Sequence, residues 1–389
     1  MKNNKSFLKG ALIGALIMLL IVGTVGCVGL SFWGSAVDSK TESTLEHIQY
    51  LISQKYLYED QIDDEAMQNG IIAGYVSGLK EPYSVYYNTE ETQALMEALE
   101  GEMCGLGVLL TMDMNTYAVS IVEVYEDTPA DKAGLKSGDI IYKVDGEEIY
   151  AEVLDEVVAV LRGEEGSEVE VTVLRGEELK EVTCNVTREK FIIPTVEWEM
   201  KEQGIGYIRL SEFDTVTTKQ FKKAVKDLEK QGMQGLVLDL RNNPGGNLST
   251  VCEIADMFLP KGTIVSTKDK NGKEDVYESD EKQSLCVPLT VLINGQSASA
   301  SEILAACIQD YKIGTLVGTT TYGKGIVQEI YPLANGDSLK LTVSEYFTPN
   351  GENIHGVGVK PDVEVVYKES EATTDNQLEE AIRLLLERM

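Results

Sequence analysis

Leu236-Val-Leu-Asp-Leu-Arg-Asn-Asn-Pro-Gly-Gly246 holds a short apolar run that stops at an arginine and ends in paired glycines. A run without polar alternation is what a strand buried on both faces looks like, and such strands belong to parallel sheets. Upstream, Ile205–Leu210 reads as a strand, and Phe221, Ala224, Val225 and Leu228 line one face of a helix. Downstream come a strand at Pro288–Asn294, a helix at Ala300–Tyr311 and a strand at Gly314–Gly318. Alternating strands and helices over residues 190–368 predict an α/β core with crossover connections. At the end of the buried strand, Gly245 and Gly246 leave bare backbone N–H groups able to approach a substrate carbonyl, although a structural turn accounts for the glycines equally well.

Two later segments carry the chemistry. Ser297-Ala-Ser-Ala-Ser-Glu302 places Ser299 at a helix start, three residues before Glu302, which is capping-box spacing. A cap and a nucleophile are compatible roles here, because a helix start holds the serine rigidly and offers free N–H groups to an oxyanion. Spacing alone does not separate Ser299 from Ser297 or Ser301. The second segment, Tyr322-Gly-Lys-Gly-Ile-Val-Gln328, sets Lys324 between two glycines. A serine hydroxyl needs a base to become nucleophilic. With only His47 and His355 in the chain, a lysine is the substitute, and the pair suggests acyl transfer, most simply proteolysis. To act at neutral pH the amine must lose about 3 pKa units through burial, roughly 4 kcal/mol of differential desolvation. Gln328 follows four residues later and, in a strand, would face the same side as Lys324 and orient its amine.

The chain has 389 residues, an ordinary globular composition and a net charge of −30. That balance argues against nucleic acid as a partner. Lys2, Lys5 and Lys9 precede a stretch, Gly10 to Val37, without a charged residue. Its apolar part, 11–33, is long enough to span a ~30 Å hydrocarbon core. Lysines before it and an acidic bulk after it predict a cytoplasmic N-terminus (1–10) and an extracytoplasmic catalytic part at the cell membrane. A cleaved signal peptide is the rival reading. Cys27 falls inside the apolar stretch; the other cysteines, Cys104, Cys184, Cys252, Cys286 and Cys307, lack metal-ligand spacing, and neither a metal nor a cofactor is expected. They fit one or two disulfides or isolated thiols.

Residues 38–100 read as a mostly helical arm for packing or oligomer formation, with no group that does chemistry. The amphipathic tail, 369–389, is its C-terminal counterpart, and the two offer a homodimer contact. Residues 101–189 are β-rich: Gly105-Leu-Gly-Val108 opens a strand, Thr128-Pro-Ala-Asp-Lys-Ala-Gly-Leu135 gives a short helix, and Leu154, Val157, Val158 and Leu161 line another. This run resembles a PDZ domain. The resemblance implies that Gly105, Leu106, Gly107 and Val108 receive a peptide's C-terminal carboxylate while the peptide adds as a strand. Arg162 would sense that carboxylate.

The ordered motifs together resemble the carboxyl-terminal processing proteases, Ser/Lys peptidases with a PDZ domain. They are Pro82-Tyr-Ser84, the PDZ run, Leu238–Gly246, Ser297–Glu302, Gly323–Gln328 and Tyr346–Gly351 with Ile354–Asp362. The resemblance implies a crotonase-like α/β core with an inserted PDZ domain and an N-terminal transmembrane helix. It makes Ser299 the nucleophile, Lys324 the general base, Gln328 the lysine's orienting partner, and Gly245 and Ala300 the oxyanion donors. Substrates would be polypeptides with free C-termini, and His355 would belong to a structural turn. Three rivals come from other classes. A Ser-His-Asp protease would need His47 or His355 as base, an acyl-CoA enzyme has no use for a PDZ domain, and a catalytically silent peptide-binding scaffold has no reason to keep Ser299, Lys324 and Gln328 together.

Overall fold

The computed structural model describes residues 37–113, 116–149, 154–280, 282–368 and 375–389. The expected membrane span, 11–33, and the terminus before it lie outside the described residues, as do positions 369–374 of the tail. Among the described residues no helix is long and apolar enough to cross a membrane. The chain divides into two compact units, one up to Gly70 and one from Ile71 onward.

In the first unit, helix α1 (Ser39–Lys55) is N-capped by Asp38, whose carboxylate accepts the Thr41 N–H at 2.8 Å. None of its residues is buried. Helix α2 (Asp64–Ser77) starts in this unit and runs into the second. The second unit adds a short strand to the expected, mostly helical arm. Strand β1 (Val85–Tyr87) precedes α3 (Thr89–Glu100), whose start is closed by a reciprocal box between Asn88 and Glu91.

The β-rich insertion is entered through β2 (Glu102–Gly105). Next come β3 (Val108–Met112), β4 (Val119–Val124), the short helix α4 (Pro129–Ala133), β5 (Ile140–Val144), β6 (Glu147–Glu148), α5 (Leu154–Leu161), β7 (Glu168–Arg175) and β8 (Lys180–Thr187). Strand β9 (Glu189–Ile192) leaves it, antiparallel to β2, so entry and exit form one two-stranded stalk. Inside, the order β3-β4-β5-β7-β8 is antiparallel, and alternate residues such as Val169, Val171 and Val173 meet Val157 and Leu161 of α5 in a private core. Gly107 has φ 83°, and a Cβ there would lie 2.3 Å from Thr128, so the loop before β3 admits only glycine at this point.

The catalytic part follows with β10 (Val196–Lys201), β11 (Ile205–Leu210), α6 (Thr217–Lys230), β12 (Gly235–Asp239), α7 (Leu248–Phe258), β13 (Gly262–Asp269), β14 (Glu274–Ser279), β15 (Leu289–Ile293), α8 (Ala300–Asp310), β16 (Thr315–Gly318), β17 (Ile326–Pro332), β18 (Ser338–Phe347), β19 (Val363–Glu364) and α9 (Asn376–Leu386). One sheet runs β10-β11-β12-β15-β16-β19, parallel except for β10 against β11. Its two faces explain the apolar run. Leu236 and Leu238 turn to the cluster built with Phe221, Val251 and Leu304 from α6, α7 and α8. Val237 turns the other way, against Ala381 and Leu385 of α9. A second sheet centres on β18, flanked by β17, β1, and the β13–β14 hairpin. Pairing of Val85 with Lys340 thus brings the N-terminal segment of this unit into the catalytic sheet.

Candidate active site

Ser299 sits between β15 and α8 with φ 53° and ψ −113°, a strained setting for a residue with a side chain. The neighbouring serines differ from Ser299 in their surroundings. Ser297 and Ser301 are fully buried, and their hydroxyls donate to the carbonyls of Leu240 (2.8 Å) and Asn243 (3.0 Å). They hold the turn. Ser299 lines a cavity of about 320 Å³ together with Ala300, Gly246, Lys324, Gln328 and Lys340.

Glu302 joins the Ser299 and Lys324 segments. It is fully buried, and its Oε2 accepts the N–H groups of Ser299 (2.9 Å) and Lys324 (2.8 Å). Its Oε1 accepts from the Gly323 N–H (2.7 Å) and the Thr321 hydroxyl (2.5 Å). The capping box expected from spacing is present, but the carboxylate reaches beyond its helix to the lysine loop. Sequence reasoning saw only the cap. The one outward signal was a glutamate destined for a helix face that is otherwise apolar.

Both glycines beside Lys324 are required by close packing. A Cβ at Gly325 would stand 2.6 Å from the His355 N, and one at Gly323 would be 3.1 Å from the N atoms of Val357 and Gly358. The His355 turn is therefore structural, and its Nδ1 accepts the Gly325 N–H at 3.3 Å. Lys324 is half-buried, with Nζ 4.8 Å from the centroid of the Tyr83 ring. Burial first, and the nearby charge of Lys340 second, hold its pKa below the usual lysine value, against the pull of Glu81 and Glu302. Gln328 lines the same cavity, but Lys324 precedes β17 and a bulge falls between Val327 and Gln328, so strand alternation does not relate the two. The Gln328 amide donates to the Thr342 hydroxyl at 3.4 Å.

The glycine turn packs directly against the serine. Gly245 has φ 108°, and a Cβ there would meet the Ser299 Cβ at 2.8 Å and the Ala300 N at 2.9 Å. Its own N–H donates to Asn243 Oδ1 at 2.8 Å. Among the described residues the N–H groups of Ala300 and Gly246 meet no protein acceptor. Arg241 anchors the base of this turn, paired with Asp239 (2.6 Å) and with Asp375 (2.7 Å) just ahead of α9.

In the insertion, Gly105, Leu106, Gly107, Val108 and Arg162 all line one cavity of about 280 Å³, with Val158, Leu161 and Phe191 beside them. Arg162 also borders a second cavity, of about 670 Å³, with Glu97 and Glu100 of α3. The five described cysteines are free thiols.

Residues 204–365 match peptidase family S41, and residues 120–175 match the PDZ domain. Residues 34–92 match the domain described as "Activating protease CtpB N-terminal domain". A carboxy-terminal-processing protease of Bartonella bacilliformis is 38% identical over 310 residues, which is 78% of this chain and 70% of that one. The chain belongs to the carboxyl-terminal processing proteases of family S41. It is accordingly a serine-type C-terminal processing peptidase carrying a PDZ domain, not an acyl-CoA enzyme or a silent scaffold. Carboxy-terminal processing protease CtpA of Bacillus subtilis is 32% identical over 354 residues, 91% of this chain and 74% of that one. Among solved structures, a photosystem II D1 C-terminal processing protease is 32% identical, with a TM-score of 0.50 over 86% of this chain and 90% of that one.

Proposed function

We propose that this peptidase works through a Ser299/Lys324 dyad. The observation that carries the reading is Glu302, whose one carboxylate oxygen holds the backbones of both residues at the rim of a shared cavity. Neutral Lys324 takes the Ser299 proton as the hydroxyl attacks the scissile carbonyl, and the resulting ammonium then protonates the leaving amine. Water, deprotonated by the same amine, releases the acyl-enzyme. The Ala300 N–H and the Gly245–Gly246 turn receive the oxyanion, and Gly245 contributes once its N–H leaves Asn243. Gln328 orients the amine after turning from Thr342. Leu95, Leu99, Leu248 and Ile330 on the cavity wall favour an apolar side chain next to the cleaved bond.

The PDZ groove takes the substrate's free C-terminus, with Arg162 as the carboxylate sensor, and blocks the dyad until a peptide docks. Residues 11–33 anchor the chain in the cell membrane with the catalytic part outside the cytoplasm. The exposed apolar residues of the helical arm, such as Ile48 and Leu51, suit a homodimer.

Replacing Ser299 or Lys324 by Ala should abolish cleavage of an unfolded protein, with Gln328→Ala less severe; wild-type turnover at pH 7 by Lys324→Ala contradicts the dyad. Residues 106–188 can be replaced by a short linker between Gly105 and Glu189, which pair across the stalk. Blockade predicts activity equal to or above the parent. Poor cleavage with Ser299 still reactive toward small probes supports delivery instead.

A further inference from the structure

The segment Glu81-Pro-Tyr-Ser84 lies in the arm whose sequence shows no group that does chemistry, yet the structure sets the Lys324 amine over the face of the Tyr83 ring, 4.8 Å from its centroid. The turn that carries this ring is firmly tied to the catalytic sheet. Glu81 accepts from the Tyr83 N–H (2.8 Å), the Ser84 hydroxyl (2.7 Å) and the Thr342 hydroxyl of β18 (2.9 Å). The Ser84 oxygen in turn accepts the Thr342 N–H at 3.1 Å, and β1 continues the attachment along β18. The Tyr83 hydroxyl meets that of Tyr322 at 3.4 Å, on the loop that holds Lys324.

We propose that Tyr83 is a positioning residue for the catalytic base, closing one side of the Lys324 amine against water so that it is neutral when Ser299 must be deprotonated. The proposal rests on the Ser/Lys reading above. The charged groups acting on the amine are Lys340 from β18, Glu81 from the turn and Glu302 from α8, and the Tyr83 ring lies over it, with Tyr322 reaching the Tyr83 hydroxyl. The Tyr83 phenol, pushed up to about 12 by its bond to Tyr322 and by burial, stays protonated and does not compete for the serine proton. Two effects of the ring oppose each other. Its π-face attracts the ammonium form, whereas its bulk excludes the water that the ammonium form needs. The ring packs against one side of the half-buried amine, and the proposal is that its exclusion of water outweighs its π attraction, a difference that Tyr83→Leu separates.

The test is the pH dependence of Ser299 acylation by a fluorophosphonate probe in the full-length protein. Tyr83→Ala should move the acid limb up by about one unit, leaving the rate at pH 7 about tenfold low and restored on the alkaline plateau. Tyr83→Phe should keep the wild-type limb. Tyr83→Leu, which keeps bulk without a π-face, should not move it upward. A uniform loss at every pH, a limb displaced downward in Tyr83→Ala, or an upward shift in Tyr83→Leu would each overturn the proposal. The Lys324→Ala protein separates this from failure of the dyad. If it retains the wild-type limb, the base is another group and both readings fall; if the limb vanishes, the dyad stands and the Tyr83 variants decide.

Discussion

Replacing Glu302 by Gln should uncouple the nucleophile from the base without changing the size of the side chain. The carboxylate accepts four hydrogen bonds in a fully buried position. A glutamine offers one oxygen and one amide donor, so at least one of the Ser299, Gly323 and Lys324 N–H groups must face a second donor. Stranding one buried N–H costs about 1–3 kcal/mol, and the surviving bonds lose their charge assistance. A total of roughly 2–4 kcal/mol corresponds to a melting temperature lowered by roughly 3–6 °C for the unit from Ile71 onward. Activity should suffer more than stability. Displacing the lysine loop by ~1 Å costs on the order of 10²-fold in rate. Thermal melts and single-turnover acylation, both measured well below the variant's melting point, read the two effects separately. A variant with wild-type melting and wild-type acylation would refute the claim that Glu302 holds the two segments in register.

Three further outcomes follow from the same geometry. Lys340→Gln removes the like charge that disfavours the Lys324 ammonium, so the amine pKa should rise, the acid limb of the pH–rate profile should move up, and the rate at pH 7 should fall while the alkaline plateau is kept. Gly245→Ala combines φ 108° with a contact of 2.8 Å to Ser299, and should reduce Ser299 labelling by at least ~10²-fold. Leu385→Ala opens a hole between α9 and the sheet at Val237 and Leu292, and should destabilise by about 2–5 kcal/mol in a denaturant titration.

What the sequence showed, and what it hid, follows from the range of each interaction. The Leu236–Leu240 run announces its two-sided burial locally, because every residue in it must be apolar for helices to cover both faces. Asp239 is the exception; it closes the strand in a pair with Arg241. Glycines at 107, 245 and 325 are legible as close approaches, though not which atoms approach. The β1–β18 pairing joins positions some 250 residues apart, from Val85 to Lys340, and a three-residue strand has no periodicity to reveal it. The contact of Tyr83 with Lys324 was hidden for the same reason. Glu302 was legible in its local role and illegible in its distant one, since a capping box accounts for the spacing in full. The engagement of the Gly245 N–H by Asn243 depends on a side-chain torsion that no pattern of residue types encodes.

The central claim, that Lys324 is the base for Ser299, is tested most directly by the rate of Ser299 acylation across pH in the wild type and in Lys324→Ala. The dyad predicts a wild-type rate that rises through an apparent pKa below the ordinary lysine value of about 10.4. In Lys324→Ala it predicts a rate at least ~10²-fold lower, with that limb gone. An unchanged rate and limb in Lys324→Ala would contradict it.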